Sequence, residues 1–261
     1  MKLRYLLAAA LVAVAGAALA SADSSAGSPG PIHPAAFPKG HYAALDGLPD
    51  WGGVWFLNFS FPKPGAKADR PQLKGKYLHG YEQWERQVKV THGNVAHYTS
   101  YCLPPGMPGI MGVPQYPMEF LFTPGRVTIH FEAWMQWRNI YTDGRKHPDY
   151  RDLDPTFYGN SIGHWEGDTL VVDTVGFKTI TDLQMGMKHS DQMHIIERIH
   201  LKKGDPNTLL DAMTVEDPLA LVKPWHVTYT YHRSRTQQLL EYVCEENNRN
   251  PVNAKGQTEF H

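Results

Sequence analysis

Read as one strand, residues 126–138 place Thr128, His130, Glu132, Trp134, Gln136 and Arg138 on one face, because strand side chains alternate sides. The other face carries Val127, Ile129, Phe131, Ala133, Met135 and Trp137. After Met193 the same spacing groups His194, Ile196, Arg198 and His200, with Ile195, Glu197 and Ile199 opposite. A later run sets His226, Thr228, Thr230 and His232 against Val227, Tyr229 and Tyr231. The plain alternative for such polar rows is a solvated sheet face. A solvated row favours Lys and Glu, however, whereas these rows hold imidazoles, carboxylates, an amide, guanidinium groups and an indole, the groups that line binding pockets. In an enclosed hollow, desolvation would raise the pKa of Glu132 and Glu197, and Arg138 or Arg198 would pull them back. Carboxylates and histidines balanced in this way suit general acid–base catalysis, with arginine holding developing negative charge. The expected catalytic set is therefore Glu132, His130, His194, Glu197 and Arg138. His189 and His147, in turns, together with Arg198, Trp134, Trp165 and Tyr229, are expected to contact the substrate.

Two other chemistries are spelled and weighed against this one. Gly159-Asn160-Ser161-Ile162-Gly163 fits the G-x-S-x-G pattern of a serine-hydrolase nucleophile elbow. An elbow needs a buried apolar strand before the serine and a helix after it. Here DPTFYGN precedes it and HWEGDTLVVD, a strand, a turn and a strand, follows, so Ser161 reads as a strand residue. His130-x-Glu132 with His194 or His226 could form a two-histidine, one-carboxylate metal set. HExxH, CxxC and His-x-His are all missing, so no metal or other cofactor is expected.

The elements that must position these groups are short and reverse often. Pro124-Gly125, Asp143-Gly144, Gly167-Asp168 and Gly204-Asp205-Pro206 separate runs rich in β-branched and aromatic residues. Hairpins at this spacing predict an all-β antiparallel meander of eight to ten strands, closed into a barrel that leaves no exposed edge. One helix is expected over 80–90, and the run GMPGIMG is either a mobile lid or a loop pinned by Cys102.

Trp51-Gly52-Gly53-Val54-Trp55 contains a Gly53-x-Trp55 motif that resembles the opening strand of the lipocalin-type barrels. That resemblance implies a Trp plugging the closed end, covered by Arg233. The Pro- and Gly-rich passage from Tyr101 to Pro117 departs from a plain lipocalin. The blocks YTDGRKHP, GNSIGHWEGDTLVVDTVGF, HSDQMHIIER and EYVCEEN, opened by LPDWGGVW, resemble a family of exported, largely uncharacterised bacterial proteins. That likeness spans about Leu48 to Asn247 and implies no reaction.

Residues 1–22, with Lys2 and Arg4 before a short apolar run and small-residue cleavage sites, read as a secretory signal peptide. Residues 23–44 read as a disordered Ser-, Gly- and Pro-rich leader, and 45–261 as a single domain. A retained membrane anchor is the alternative for the first segment. The net charge of −1 argues against nucleic acid. A periplasmic or secreted location makes a Cys102–Cys244 disulfide the expectation, against two free thiols or a reactive one. Two functions remain open. One is an exported enzyme for elimination, isomerisation or hydrolysis of a small, partly apolar molecule. The other is a non-catalytic binding protein of the same fold.

Overall fold

Nine strands cannot alternate direction all the way round a closed ring, so at least one neighbouring pair must run parallel. The computed structural model, described for residues 43–59, 70–244 and 254–255, is such a ring. The proposed signal peptide and almost all of the leader lie outside the described residues. Along the chain come β1 (Val54–Leu57), helix α1 (Gly75–Val90), β2 (Met118–Thr123), β3 (Arg126–Phe131) and β4 (Gln136–Tyr141). They are followed by β5 (Asn160–Glu166), β6 (Thr169–Val175), the small hairpin β7 (Asp182–Gln184) and β8 (Met187–Lys188), β9 (His194–Lys202), β10 (Asp205–Glu216) and β11 (Trp225–Ser234). The barrel order is β1-β11-β10-β9-β6-β5-β4-β3-β2. Every neighbour is antiparallel except β4–β5, which pairs only Ile140 with Ser161 and Tyr141 with Ile162. The architecture is the expected lipocalin-like barrel, with one departure from a pure meander at this short seam.

The helix begins at Gly75, five residues before the expected start, and ends as expected at Val90. None of its residues is fully buried, and it packs on the β7–β8 hairpin. The turns fall where Pro124-Gly125 and Gly167-Asp168 placed them.

Strand direction faces opposite to expectation. Val127, Ile129 and Phe131 are buried, as are Ile195 and Ile199, so the apolar rows fill the barrel and the rows of His130 and of His194 look outward. Residues 126–138 are also two strands and not one. The chain turns at Glu132–Met135, where Trp134 and Met135 take φ of 57° and 47°. That turn resets the alternation. Arg138 pairs with Ile129 and points inward, while Trp137 pairs with His130 and is exposed.

Both ends of the barrel are stoppered. At one end Trp55 is fully buried, donates Nε1–H to the Trp51 carbonyl at 3.0 Å, and lies under the Arg233 guanidinium at 4.6 Å. This is the arrangement that the Gly53-x-Trp55 resemblance implies. Trp165 joins the same stopper, 5.4 Å from Trp51. At the other end residues 107–112 insert Met107, Ile110 and Met111, and Tyr231 donates its hydroxyl hydrogen to the Met111 carbonyl at 2.7 Å. Cys102 and Cys244 are bonded, their Cα atoms 5.7 Å apart. Among the described residues no helix is long and apolar enough to cross a membrane.

Gly53 sits at φ +109°, and a Cβ there would come 2.7 Å from the Ser234 carbonyl oxygen. Gly53→Ala is therefore expected to lower stability by more than about 1 kcal/mol in urea unfolding, since an Ala forced to positive φ is strained.

Candidate functional site

Inside the barrel the inward rows are apolar with a few exceptions, and those exceptions meet. Arg138 from β4 holds Glu197 from β9 with both terminal nitrogens, Nη1 at 2.8 Å from Oε1 and Nη2 on Oε2. Its Nη2 also donates to Thr174 of β6 at 2.8 Å, and its Nε to Ser161 of β5 at 3.1 Å. Four of the five guanidinium N–H groups are thus used in a fully buried, bidentate pair. Ser161, the serine of G-x-S-x-G, lies within a strand and bonds to Thr174 at 3.0 Å. It is an anchor for Arg138 and has no helix behind it. Beside this group stands Asp211, between Leu209 and Met213 on the inward row of β10. It is fully buried, and both its carboxyl oxygens lack a hydrogen-bond partner. Burial pushes its carboxyl well above the usual range, the Glu197 charge adds to this, and Arg138 opposes it without prevailing.

A different constellation lies outside the barrel, where α1 packs on the β7–β8 hairpin. Trp84 of α1 rests on Gly186, where a Cβ would come 2.4 Å from the indole. This close seat leaves a cavity of about 390 Å³ beside the helix, walled by Tyr77, Tyr81, Trp84 and Tyr98. His97, Asp182 and Lys188 supply its polar groups. His97 Nε2 is 2.7 Å from Asp182 Oδ2, and Nδ1 is 2.8 Å from the Thr99 hydroxyl. A carboxylate on Nε2 requires the hydrogen there, so in the neutral ring Nδ1 accepts the hydrogen bond that the Thr99 hydroxyl donates. Asp182 is almost wholly buried, and burial alone would raise its pKa. The His97 hydrogen bond, the Lys188 ammonium at 2.6 Å and the Gly186 N–H outweigh that, so the carboxyl titrates below its usual range.

A third group sits on the outer sheet face. Asp173 Oδ1 accepts from His194 Nε2 at 2.8 Å and lies 3.1 Å from His147 Nε2, while His147 Nδ1 meets Asn160 at 2.7 Å. His194 also faces Glu216 at 3.5 Å. The Asp173 hydrogen bond raises the pKa of His194, and the His194 bond in turn lowers that of Asp173. Among the described residues no group of three or more His, Cys, Asp or Glu side chains is arranged to hold a metal.

The expected catalytic set therefore divides. Arg138 and Glu197 meet inside the barrel. His130 pairs with Glu119 on the outside at 3.2 Å. Glu132 caps the Leu240 N–H at 2.7 Å. His194 belongs to the Asp173 group. Of the expected substrate contacts, Tyr229 is opposite Asp211 in the ladder and His147 joins His194. Arg198 makes an exposed ion pair with Glu166, and Trp134 packs on Tyr242 at 5.3 Å. His189 is buried, held by Thr181 at 2.9 Å and the Ser190 carbonyl at 2.8 Å, and burial lowers its pKa. His97, Asp182, Asp173 and Asp211 were not singled out by spacing. Only Asp211 left a signal, as a lone acid in the apolar row Leu209, Met213, Val215.

A comparison with protein-family models found none that matches this chain, and a search of curated proteins found no match either.

Removing one partner of the Arg138–Glu197 pair leaves an uncompensated buried charge. Arg138→Met or Glu197→Leu alone is expected to cost about 3–5 kcal/mol, and the double variant much less, in a thermodynamic cycle from denaturant unfolding. His194 carries the opposite pH signature to a carboxylate. Its folded pKa is raised, so its stabilisation is complete below about pH 6.5 and disappears as pH climbs through the folded value. The stability difference between wild type and His194→Gln should accordingly shrink as pH rises through that window.

Proposed function

We propose that this chain, exported as its N-terminal segment and disulfide suggest, binds a small aromatic organic molecule in the α1 groove. There His97, oriented by Asp182, performs general acid–base chemistry on it. The observation that carries this reading is the His97–Asp182 pair opening into an aromatic-walled cavity of about 390 Å³. A concave, largely apolar pocket with a few convergent polar groups is where small molecules bind. Within it, the carboxylate sets the imidazole tautomer and steadies the imidazolium that forms on proton uptake. Lys188, held against Asp182, keeps the local charge near neutral and stands next to the place where negative charge would develop on the substrate. Tyr77, Tyr81 and Trp84 offer faces for stacking. The acid–base pair expected in the barrel lumen is thus relocated to the barrel's flank, because apolar side chains occupy the lumen.

The engagement of both His97 ring nitrogens favours a second reading, a binding protein without turnover. One probe separates the two. Phenylacetone in deuterated buffer reports proton abstraction next to a carbonyl, and Trp84 fluorescence reports occupancy. On the enzyme reading, wild type accelerates exchange, while His97→Gln and Asp182→Asn slow it about 10²–10⁴-fold with nearly unchanged quenching. Quenching without accelerated exchange in wild type selects the binder. Exchange that survives His97→Gln removes His97 from the mechanism.

A further inference from the structure

Glu132, which spacing assigned to the barrel lumen, stands instead at the edge of a second cavity that shares no residue with the α1 groove. This cavity of about 630 Å³ opens between β1, the approach to β2 and the chain that leaves β11. We propose that it binds a neutral saccharide through the side-chain amides of Gln115, Gln237 and Gln238, the Glu132 carboxylate and the Phe56 ring. Its volume falls within the range of small-ligand sites.

Local structure builds the walls. Phe56 alternates with the buried Trp55 on β1, so it faces outward, where it stacks on His232 at 5.4 Å. Glu132 follows β3, with its N–H held by the Pro117 carbonyl at 3.0 Å and its Oε2 accepting the Leu240 N–H at 2.7 Å. Residues 235–240 are tied at their other end too, because the Gln237 N–H reaches back to the Ser234 hydroxyl at 3.3 Å. The turn after Glu132 sets Trp134 and Met135 at positive φ, a strained conformation of the kind that collects at ligand sites.

The lining selects the ligand. Among the described residues none of the three glutamine amides has a hydrogen-bond partner, so all face the cavity with their capacity unused. Each amide carries two N–H donors beside a carbonyl acceptor, and each sugar hydroxyl both donates and accepts. Neighbouring hydroxyls on a sugar ring can therefore take both halves of one amide, or both oxygens of a carboxylate. Phe56 offers apolar ring surface to the C–H face of such a ring. Among the described residues no Lys, Arg or His lines the cavity, so an anion would meet the Glu132 charge with nothing to offset it. An apolar ligand would strip water from the amides and return no hydrogen bonds. A simple amine would satisfy Glu132 but leave the amide N–H donors unserved.

Maltose, cellobiose and lactose are the probes, titrated into the full chain and followed by proton–nitrogen correlation spectra. The side-chain amide signals of Gln115, Gln237 and Gln238 are assigned by their loss in Gln115→Ala, Gln237→Ala and Gln238→Ala. They should shift together with at least one of these sugars, with a dissociation constant on the order of 1 mM. Combining Gln237→Ala with Gln238→Ala should weaken that sugar at least about tenfold, the worth of one hydrogen bond. The thermal midpoint should hold, because both side chains are exposed. A longer oligomer of the sugar that binds separates two sources of the same chemistry. Affinity that rises with length marks a polysaccharide chain, and equal affinity a free sugar or a chain end. Glutamine amide signals unmoved by all the sugars overturn the proposal. So does undiminished affinity in the double variant, or in both single variants if the double does not fold. Butylamine or benzoate shifting the same signals at lower concentration than every sugar overturns it as well.

Discussion

Taking Arg138 and Glu197 out of water costs several kcal/mol per ion, and only good geometry with further hydrogen bonds can offset that. Here one guanidinium touches three strands besides its own: Ser161 on β5, Thr174 on β6 and Glu197 on β9. The location is not arbitrary. An odd ring needs a parallel seam, and the seam at β4–β5 is held by just two residue pairs. Arg138 starts from β4 and reaches across that seam, so the costliest side-chain pair in the core stitches the weakest join in the wall. The rest of the barrel depends on it, because an opened seam would expose two sheet edges.

A barrel shut in this way, and stoppered by tryptophans at one end and methionines at the other, leaves its accessible chemistry on the flank. The groove under α1 exists because Gly186 lets Trp84 sit close while the helix keeps its aromatic side chains over the β7–β8 hairpin. Asp182 serves both ends: its carboxylate accepts the Gly186 N–H that shapes the hairpin and also orients His97. Fold and site share one carboxylate.

Much of this fold was legible. Alternation with Pro-Gly and Gly-Asp turns read correctly as hairpins, and Gly53-x-Trp55 with Arg233 marked the closed end, whereas Asp143-Gly144 opens the long connection to the parallel strand β5 and makes no hairpin. The site was not legible. His97 and Asp182 stand 85 residues apart, and no spacing rule joins them. The division of Glu132 from Arg138 was hidden for a sharper reason. The turn at 132–135 uses Trp134 and Met135 at positive φ, in a stretch without the glycine, proline or asparagine that signals a reversal. Missing that turn shifts the alternation by one and groups inward Arg138 with the His130 row, which faces outward.

Which residues share a side of each unbroken strand is local geometry, and the sequence by itself determined it for β9 and β11. Which side becomes the interior depends on how much apolar area closure removes from water, summed over all nine strands. Only the tertiary structure decided that. It favoured the Val and Ile rows over the His and Glu rows because burying the apolar row is favourable and burying unpaired charge is not. Arg138, Glu197 and Asp211 are inside because they lie on those apolar rows.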